Sequence, residues 1–237
     1  AWGGMTILMF WAFYQNGMNS FPMTFPELSS YIWLQQAFLA MFMAWFFDNE
    51  IFESITSGNI AYELCRPCDV YTMWFTKNMA IRLSRMMLRC FPILLVAAFL
   101  PAPFNITLPP DWRSGILFLV SVTLGFLVLI SFSMLIYISA FYTISPMGVR
   151  ILATSVIEFF AGGVIPILFF PESLQPIMYA LPFASMQNTP FLIYTGHIKG
   201  FEALQDIAIQ LVWLAALIIV GRFLMGQALK KVIVQGG

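Results

Sequence analysis

The chain has 237 residues, of which 60% are hydrophobic and only 9% are charged. Soluble domains carry about a quarter charged residues, so this composition indicates a protein whose solvent is largely lipid. Equal numbers of basic and acidic side chains give a formal net charge of zero. This balance excludes nucleic acid as a partner, because binding to phosphates requires a basic surface.

Apolar runs along the chain predict six membrane-spanning helices and no strands. The clearest run, residues 114–142, has no charged side chain. As a helix it would be longer than the roughly 30 Å hydrocarbon core of a bilayer. The six predicted spans cover residues 1–17, 29–47, 79–100, 114–142, 148–170 and 204–229. We therefore expect an all-α membrane protein in which residues 1–237 form a single transmembrane domain.

The basic residues set the expected orientation, since the cytoplasmic loops of membrane proteins are enriched in Lys and Arg. If the chain enters the first span from the cytoplasm, only Arg113 and Lys199 lie outside. The other basic residues then lie on the cytoplasmic side: Arg66, Lys77, Arg82, Arg85, Arg89, Arg150, Arg222, Lys230 and Lys231. We expect a protein of the plasma membrane with both termini in the cytoplasm.

The connection formed by residues 48–69 is polar, yet it carries apolar side chains at helical spacing. These apolar residues are Ile51, Phe52 and Ile55. Residues 57–59 break the pattern, and a second helical piece follows and is stopped by Pro67. The segment predicts two short helices, which either anchor the loop at the membrane surface or dock on a soluble partner.

Catalytic and metal-binding patterns are missing from the sequence. It contains no G-x-x-x-x-G-K-[ST], H-E-x-x-H or G-x-S-x-G pattern and a single histidine, His197. Cys65 and Cys68 have the spacing of half a zinc site, but no second pair or histidine completes it. The chain is therefore not expected to be an enzyme or to bind a metal.

Two stretches resemble the permeases of ABC-2 type transporters. Residues 55–71, ITSGNIAYELCRPCDVY, are similar to the family pattern I-x-x-G-x-[IL]-x-x-x-L-x-[RK]-P after the second span. Residues 162–174, GGVIPILFFPESL, followed by Leu181 and Pro182, are similar to the family run of Gly and Pro near the end of the fifth span. The resemblance covers nearly the whole chain and implies that an amphipathic cytoplasmic helix before the first span is missing.

The resemblance implies a transport subunit driven by ATP that a separate ATP-binding cassette ATPase hydrolyses. This chain would hold no cofactor itself, and ATP and Mg would bind to the partner. The loop after the second span would include a coupling helix that docks on the ATPase. The residues expected there are Glu53, Ile55, Gly58, Ile60, Glu63, Leu64, Arg66 and Pro67. A second permease subunit, identical or related, would pair with this one.

Residues 170–206 are too apolar for a solvated loop and too interrupted by proline to span a membrane. Either they form short re-entrant helices, which the resemblance describes as an outer gate, or they form a hydrophobic lid packed on the bundle. The proline positions expected in that gate are Pro166, Pro171 and Pro182.

Ionisable residues within spans are expensive and therefore point to function. Glu158 lines a pathway for a cationic or amphiphilic substrate, pairs with an arginine at a subunit interface, or lies close to the headgroups. We select Gln35 and Gln36 together with Glu158 as pathway residues. A stripe on the third span is expected to reach lipid headgroups, or to gather an anionic substrate. This stripe consists of Arg82, Arg85 and Arg89.

The sequence thus predicts a permease subunit that exports an amphiphilic or hydrophobic substrate. The alternative is a secondary transporter or channel that acts without an ATPase. Such a protein would be expected to carry polar groups in several spans and often an inverted repeat. No repeat is visible in the sequence.

Overall fold

The computed structural model of the chain describes residues 2–15, 21–143 and 145–230. All regular secondary structure in these ranges is helical, so the all-α fold class is confirmed for them. The helices are α1 (Trp2–Gln15), α2 (Phe25–Ala37), α3 (Leu39–Phe42), α4 (Asn49–Thr56), α5 (Ile60–Leu64), α6 (Val70–Phe99), α7 (Trp112–Ser139), α8 (Pro146–Phe160), α9 (Gln175–Ala180), α10 (Asn188–Thr195) and α11 (Gly200–Leu229). A short 3-10 turn, Ile167–Phe169, precedes α9.

The central helix of the bundle is α7, against which α11, α10, α6, α8 and α3 pack. It begins where Asp111 accepts a hydrogen bond from the Ser114 backbone N–H at 2.6 Å. This bond satisfies one of the free donors of the first turn. Hydrogen bonds from the Ser114 side chain and then its backbone hold the pKa of the Asp111 carboxyl below its usual range. Because α7 is apolar on every side, it suits a position surrounded by other helices.

Among the described residues, two helices are long and apolar enough to cross a membrane, α7 and α11. That the other four predicted spans cross a membrane stays a prediction. The first is represented by α1, which at 14 residues is about 21 Å long. The predicted continuous fifth span, residues 148–170, is wrong in length, because α8 ends at Phe160 and is followed by two glycines and Pro166.

The predicted second span, residues 29–47, is also not continuous. It consists of α2 and α3, separated at Phe38, and α3 ends at Phe42. Neither Pro nor Gly lies at this break. Interrupting a helix in an apolar bundle leaves backbone carbonyls that need other donors. Arginines of α6 supply these donors.

Arg82 is completely buried. Its guanidinium donates to the carbonyl oxygens of Met41 at 3.2 Å, Met43 at 2.8 Å and Phe46 at 2.7 Å. The backbone beyond α3 is therefore held by α6. The expected headgroup role of Arg82 is wrong, because its hydrogen-bonding groups face carbonyls inside the protein.

The other two arginines of the stripe are exposed. Arg89 Nε donates to the Gln36 carbonyl at 3.2 Å, next to the break at Phe38. The guanidinium of Arg85 lies 3.9 Å from the centre of the Phe46 ring. Contact of Arg85 and Arg89 with lipid headgroups stays a prediction.

The loop between the second and third predicted spans forms two short helices, as the apolar spacing predicts. Asp48 caps α4 by accepting from the Glu50 backbone N–H at 3.0 Å. Residues 57–59 form the turn, and α5 ends two residues before Arg66. Ile51 and Phe52 are buried in the core of the bundle, so the apolar face of α4 packs against the other helices.

Residues 166–195 contain the 3-10 turn, α9 and α10 rather than one long helix. The whole of α10 except Tyr194 is buried, and it packs against α7 and α2. This helix therefore belongs to the core of the bundle. How deeply the segment enters a membrane stays a prediction.

Candidate functional site

A cavity of about 680 Å³ lies between α1, the broken α2–α3 segment and the end of α8. Its polar lining residues are Thr6, Gln35, Gln36, Glu158 and Gln187. Its larger apolar lining residues include Trp2, Met5, Met9, Phe42, Met43 and Trp45. The structure thus brings together the three residues selected as a pathway, Gln35, Gln36 and Glu158, from two separate predicted spans.

The glutamines form the buried side of the cavity. Gln35 Nε2 donates to the Gly163 carbonyl, with the Gly162 carbonyl 3.4 Å away. Gly163 allows the closest approach, since a Cβ there would lie 2.8 Å from Gln187 Nε2. The absence of a side chain at Gly163 therefore lets Gln187 reach the cavity beside Gln35.

A buried pair, Tyr31 and Asn188, supports this wall. The Tyr31 hydroxyl donates to Asn188 Oδ1 at 3.0 Å, and the same oxygen accepts from the Ile167 backbone N–H at 3.2 Å. Both side chains are completely buried. They connect α2, α10 and the segment after α8, so the backbone around Gly163 has a fixed position.

Glu158 lies on α8 and is half-buried at the cavity. In the part of the chain that the structure describes, no basic nitrogen lies within ion-pair distance of its carboxylate. The cavity residues of this part include no Lys, Arg or His. The carboxylate therefore faces neutral amides and apolar groups.

The rim of the cavity is apolar and open. Trp2 is 74% exposed and Trp45 is 45% exposed, and Val164 lies exposed on the opposite side. A soluble protein would seldom expose such a surface. The cavity is thus accessible from the side of the bundle where α1 and α8 lie.

The sequence did not select Gln187 or the aromatic residues of the rim. Gln187 belongs to a short polar run, Ser185, Gln187, Asn188 and Thr189, within an apolar segment, and this run was the available signal. Of the expected gate prolines, Pro166 is buried next to the cavity residue Ile165. Pro171 and Pro182 are not cavity residues, and their role in a gate stays a prediction.

The α4–α5 loop presents a second candidate surface. Five of the residues expected to dock on a partner are exposed: Glu53, Gly58, Leu64, Arg66 and Pro67. Tyr62, which the sequence did not select, is 76% exposed. Ile55 is partly buried, and Ile60 is 1% exposed and belongs to the core. The expectation that Ile60 anchors a partner is therefore wrong, because its side chain anchors the loop to the bundle instead.

Two side chains of α6, Trp74 and Lys77, fix the loop to this helix through three polar contacts. The Trp74 indole N–H donates to Glu63 Oε2 at 2.6 Å, so Glu63 is engaged within the chain. Lys77 Nζ lies 2.7 Å from both Asp48 Oδ2 and Glu50 Oε2. Burial alone would lower the pKa of Lys77, but these two carboxylates outweigh it and raise the pKa. The start of α6 and the loop thus form one unit.

The apolar helical bundle, the open cavity with a polar wall and the two-helix loop fit a helical membrane protein. The chain belongs to the ABC-2 type transporter permeases: the family model described as "ABC-2 family transporter protein" matches residues 1–236. This match confirms the resemblance seen in the sequence. Members of this family are membrane subunits that act with an ATP-binding cassette ATPase and are not catalytic themselves.

Comparison with curated proteins and with solved structures finds no match to this chain.

Proposed function

We propose that this chain is the permease subunit of an ATP-driven exporter and that its substrate passes along the cavity of Gln35, Gln36 and Glu158. The observation that carries the proposal is the convergence of these three side chains on one open cavity. Polar groups within apolar helices are expensive unless they serve a ligand or each other. Their arrangement around an accessible space favours a ligand.

The cavity opens beside α1 and α8, two helices with few buried residues. Ile157 is the buried residue of α8, and α1 packs mainly on α2. We infer that a second permease subunit, the same or a related chain, covers this side. The substrate then moves between the two subunits in the plasma membrane.

The α4–α5 loop is the proposed docking site of the ATPase, which binds ATP and Mg. Tyr62 and Leu64 offer exposed apolar side chains, and Glu53 and Arg66 lie exposed around them. A small apolar centre with charged residues at its edge is typical of helix docking. Because the loop is bound to α6 through Trp74 and Lys77, a movement of the ATPase is passed to the bundle.

A pull-down from native membranes tests this proposal. The chain is tagged and purified in detergent, and the proteins that accompany it are identified by mass spectrometry. We expect a P-loop ATPase, and we expect an Arg66→Glu variant to lose it while remaining in the membrane. Recovery of the same ATPase with Arg66→Glu would contradict the docking site.

Reconstitution separates this function from that of a secondary transporter. Vesicles containing the chain and the copurified ATPase should transport amphiphilic probes only with ATP and Mg. Transport by the chain alone, driven by an ion gradient, would contradict the proposal.

A further inference from the structure

The cavity has an unbalanced charge. Glu158 is the acidic residue that lines it, and the other polar lining residues, Thr6, Gln35, Gln36 and Gln187, are neutral. Amides can donate hydrogen bonds to a carboxylate, but they cannot neutralise its charge. An uncompensated charge in a space with apolar walls is unfavourable, so a cation that enters gains attraction.

Two arginines close to the lining of the cavity, Arg150 and Arg89, have other partners. Arg150, two turns before Glu158 on α8, donates to Asn49 Oδ1 and to the Trp45 carbonyl, each at 3.1 Å. Arg89 donates to the Gln36 carbonyl from α6. Neither arginine lines the cavity, so neither supplies the missing positive charge.

One of the amides is also occupied. Gln35 Nε2 donates to the backbone after α8 and is held there. This bond fixes the wall of the cavity rather than solvating Glu158. The wall is thus preorganised, and the carboxylate remains available to a ligand.

The remaining surface suits an organic cation rather than a bare metal ion. Trp2, Phe42 and Trp45 offer aromatic faces, which attract cations, and Met5 and Met9 add polarisable sulfur. Among the described residues, no group of three or more acidic, His or Cys side chains is placed to hold a metal. The volume of about 680 Å³ is that of a site for a drug-sized molecule.

We propose that this cavity selects lipophilic organic cations and that Glu158 sets the sign of the charge it accepts. The inference rests on the proposed function, because it names the substrate class of the same cavity. Glu158 binds the positive centre, the aromatic and methionine side chains surround its apolar substituents, and the amide wall limits how deeply the ligand enters.

Tetraphenylphosphonium and tetraphenylborate provide a direct test, since they have nearly the same size and shape and opposite charges. Their binding to the purified chain in lipid nanodiscs is measured by equilibrium dialysis, without any ATPase, and binding to empty nanodiscs is subtracted, because the dipole potential of a bilayer favours the anion. We expect the cation to bind about tenfold more tightly than the anion, or better. Glu158→Gln should remove this preference, because the affinity for the cation falls and the affinity for the anion rises.

Two variants serve as controls. Glu172→Gln removes the same charge from an exposed position outside the cavity and should leave both affinities unchanged. Glu158→Asp keeps the charge and should retain the preference for the cation. Comparison with Glu158→Gln therefore distinguishes an effect of the lost charge from an effect of misfolding. Thermal unfolding of each variant shows whether the bundle is intact.

Equal binding of the two ions by the unaltered chain would overturn the inference, as would an unchanged cation affinity in Glu158→Gln. A preference of the protein for tetraphenylborate would also overturn it. Because binding is measured without ATP, selective binding combined with a failure of ATP-driven transport would contradict the proposed function alone.

Discussion

Arg82 on α6 and the carbonyl oxygen of Met43 lie 2.8 Å apart, which joins the third predicted span to the end of the broken second one. Met43 is also a cavity residue. The same helix holds the α4–α5 loop through Trp74 at its beginning. We infer that α6 connects the proposed docking surface to the cavity wall through named hydrogen bonds.

Replacing Arg82 by Met should destabilise the protein by about 3 kcal/mol or more, because three carbonyl oxygens lose a charged donor. The thermal midpoint in detergent measures the loss. Arg85→Met is the matched control, since Arg85 is exposed and stacks on the Phe46 ring. Equal midpoints for the two variants would refute the structural role of Arg82.

Replacing Gly163 by Ala should reduce binding in the cavity by about tenfold, because the added methyl group displaces the Gln187 amide from the cavity wall. The added Cβ would lie 2.8 Å from Gln187 Nε2 and 3.1 Å from the Glu158 carbonyl oxygen. Dialysis with tetraphenylphosphonium measures the effect. Gly148→Ala on α8 is the control, as nothing lies within 4 Å of its Cβ position, and a similar loss there would argue against the cavity.

Replacing Gly58 by Ala should reduce ATP-driven transport and leave the amount of protein in the membrane unchanged. Gly58 has a φ of +78°, in the left-handed region, so a side chain there strains the turn between α4 and α5 by about 1 to 3 kcal/mol. Transport per hydrolysed ATP is the measurement. Gly226→Ala, on α11 with free space around it, should behave as the unaltered chain. Full coupling in Gly58→Ala would speak against the turn as part of the docking surface.

Asp69 should make the stability of the bundle depend on pH below about pH 4. The Thr72 hydroxyl and backbone N–H donate to its carboxylate at 2.6 Å and 2.9 Å and lower its pKa. Since the folded pKa lies below the unfolded one, this stabilisation is complete above the unfolded pKa and is lost as the pH falls through the folded pKa. The difference in thermal midpoint between the chain and Asp69→Asn should therefore shrink between pH 6 and pH 3. A constant difference would contradict this.

Local signals in the sequence account for several features of the structure. The spacing of Ile51, Phe52 and Ile55 predicts α4, and Gly58 marks the turn before α5. The polar side chains Gln35, Gln36 and Glu158 stand out in apolar runs, and the structure places all three at the cavity. These predictions need only the spacing of apolar residues along one helix or the type of a single residue.

Contacts between distant parts of the chain account for what the sequence did not predict. The break at Phe38 has no Pro or Gly. Arg89 of α6 donates to the Gln36 carbonyl beside this break, and Arg82 of α6 donates to carbonyls at and beyond the end of α3. The same arginines therefore read as a headgroup stripe in the sequence. The expectation for Ile60 is wrong for a different reason. A five-residue helix has too few positions for the sequence to show which of its sides faces the bundle.

The central claim is that the cavity carries a substrate driven by ATP hydrolysed in another subunit. It is tested most directly by the uptake of tetraphenylphosphonium into inside-out vesicles that contain the chain and its copurified ATPase. The account predicts uptake that requires ATP and Mg and falls at least about tenfold in Glu158→Gln. Uptake that continues with an ATPase whose P-loop lysine is replaced, or that is unchanged in Glu158→Gln, would contradict it.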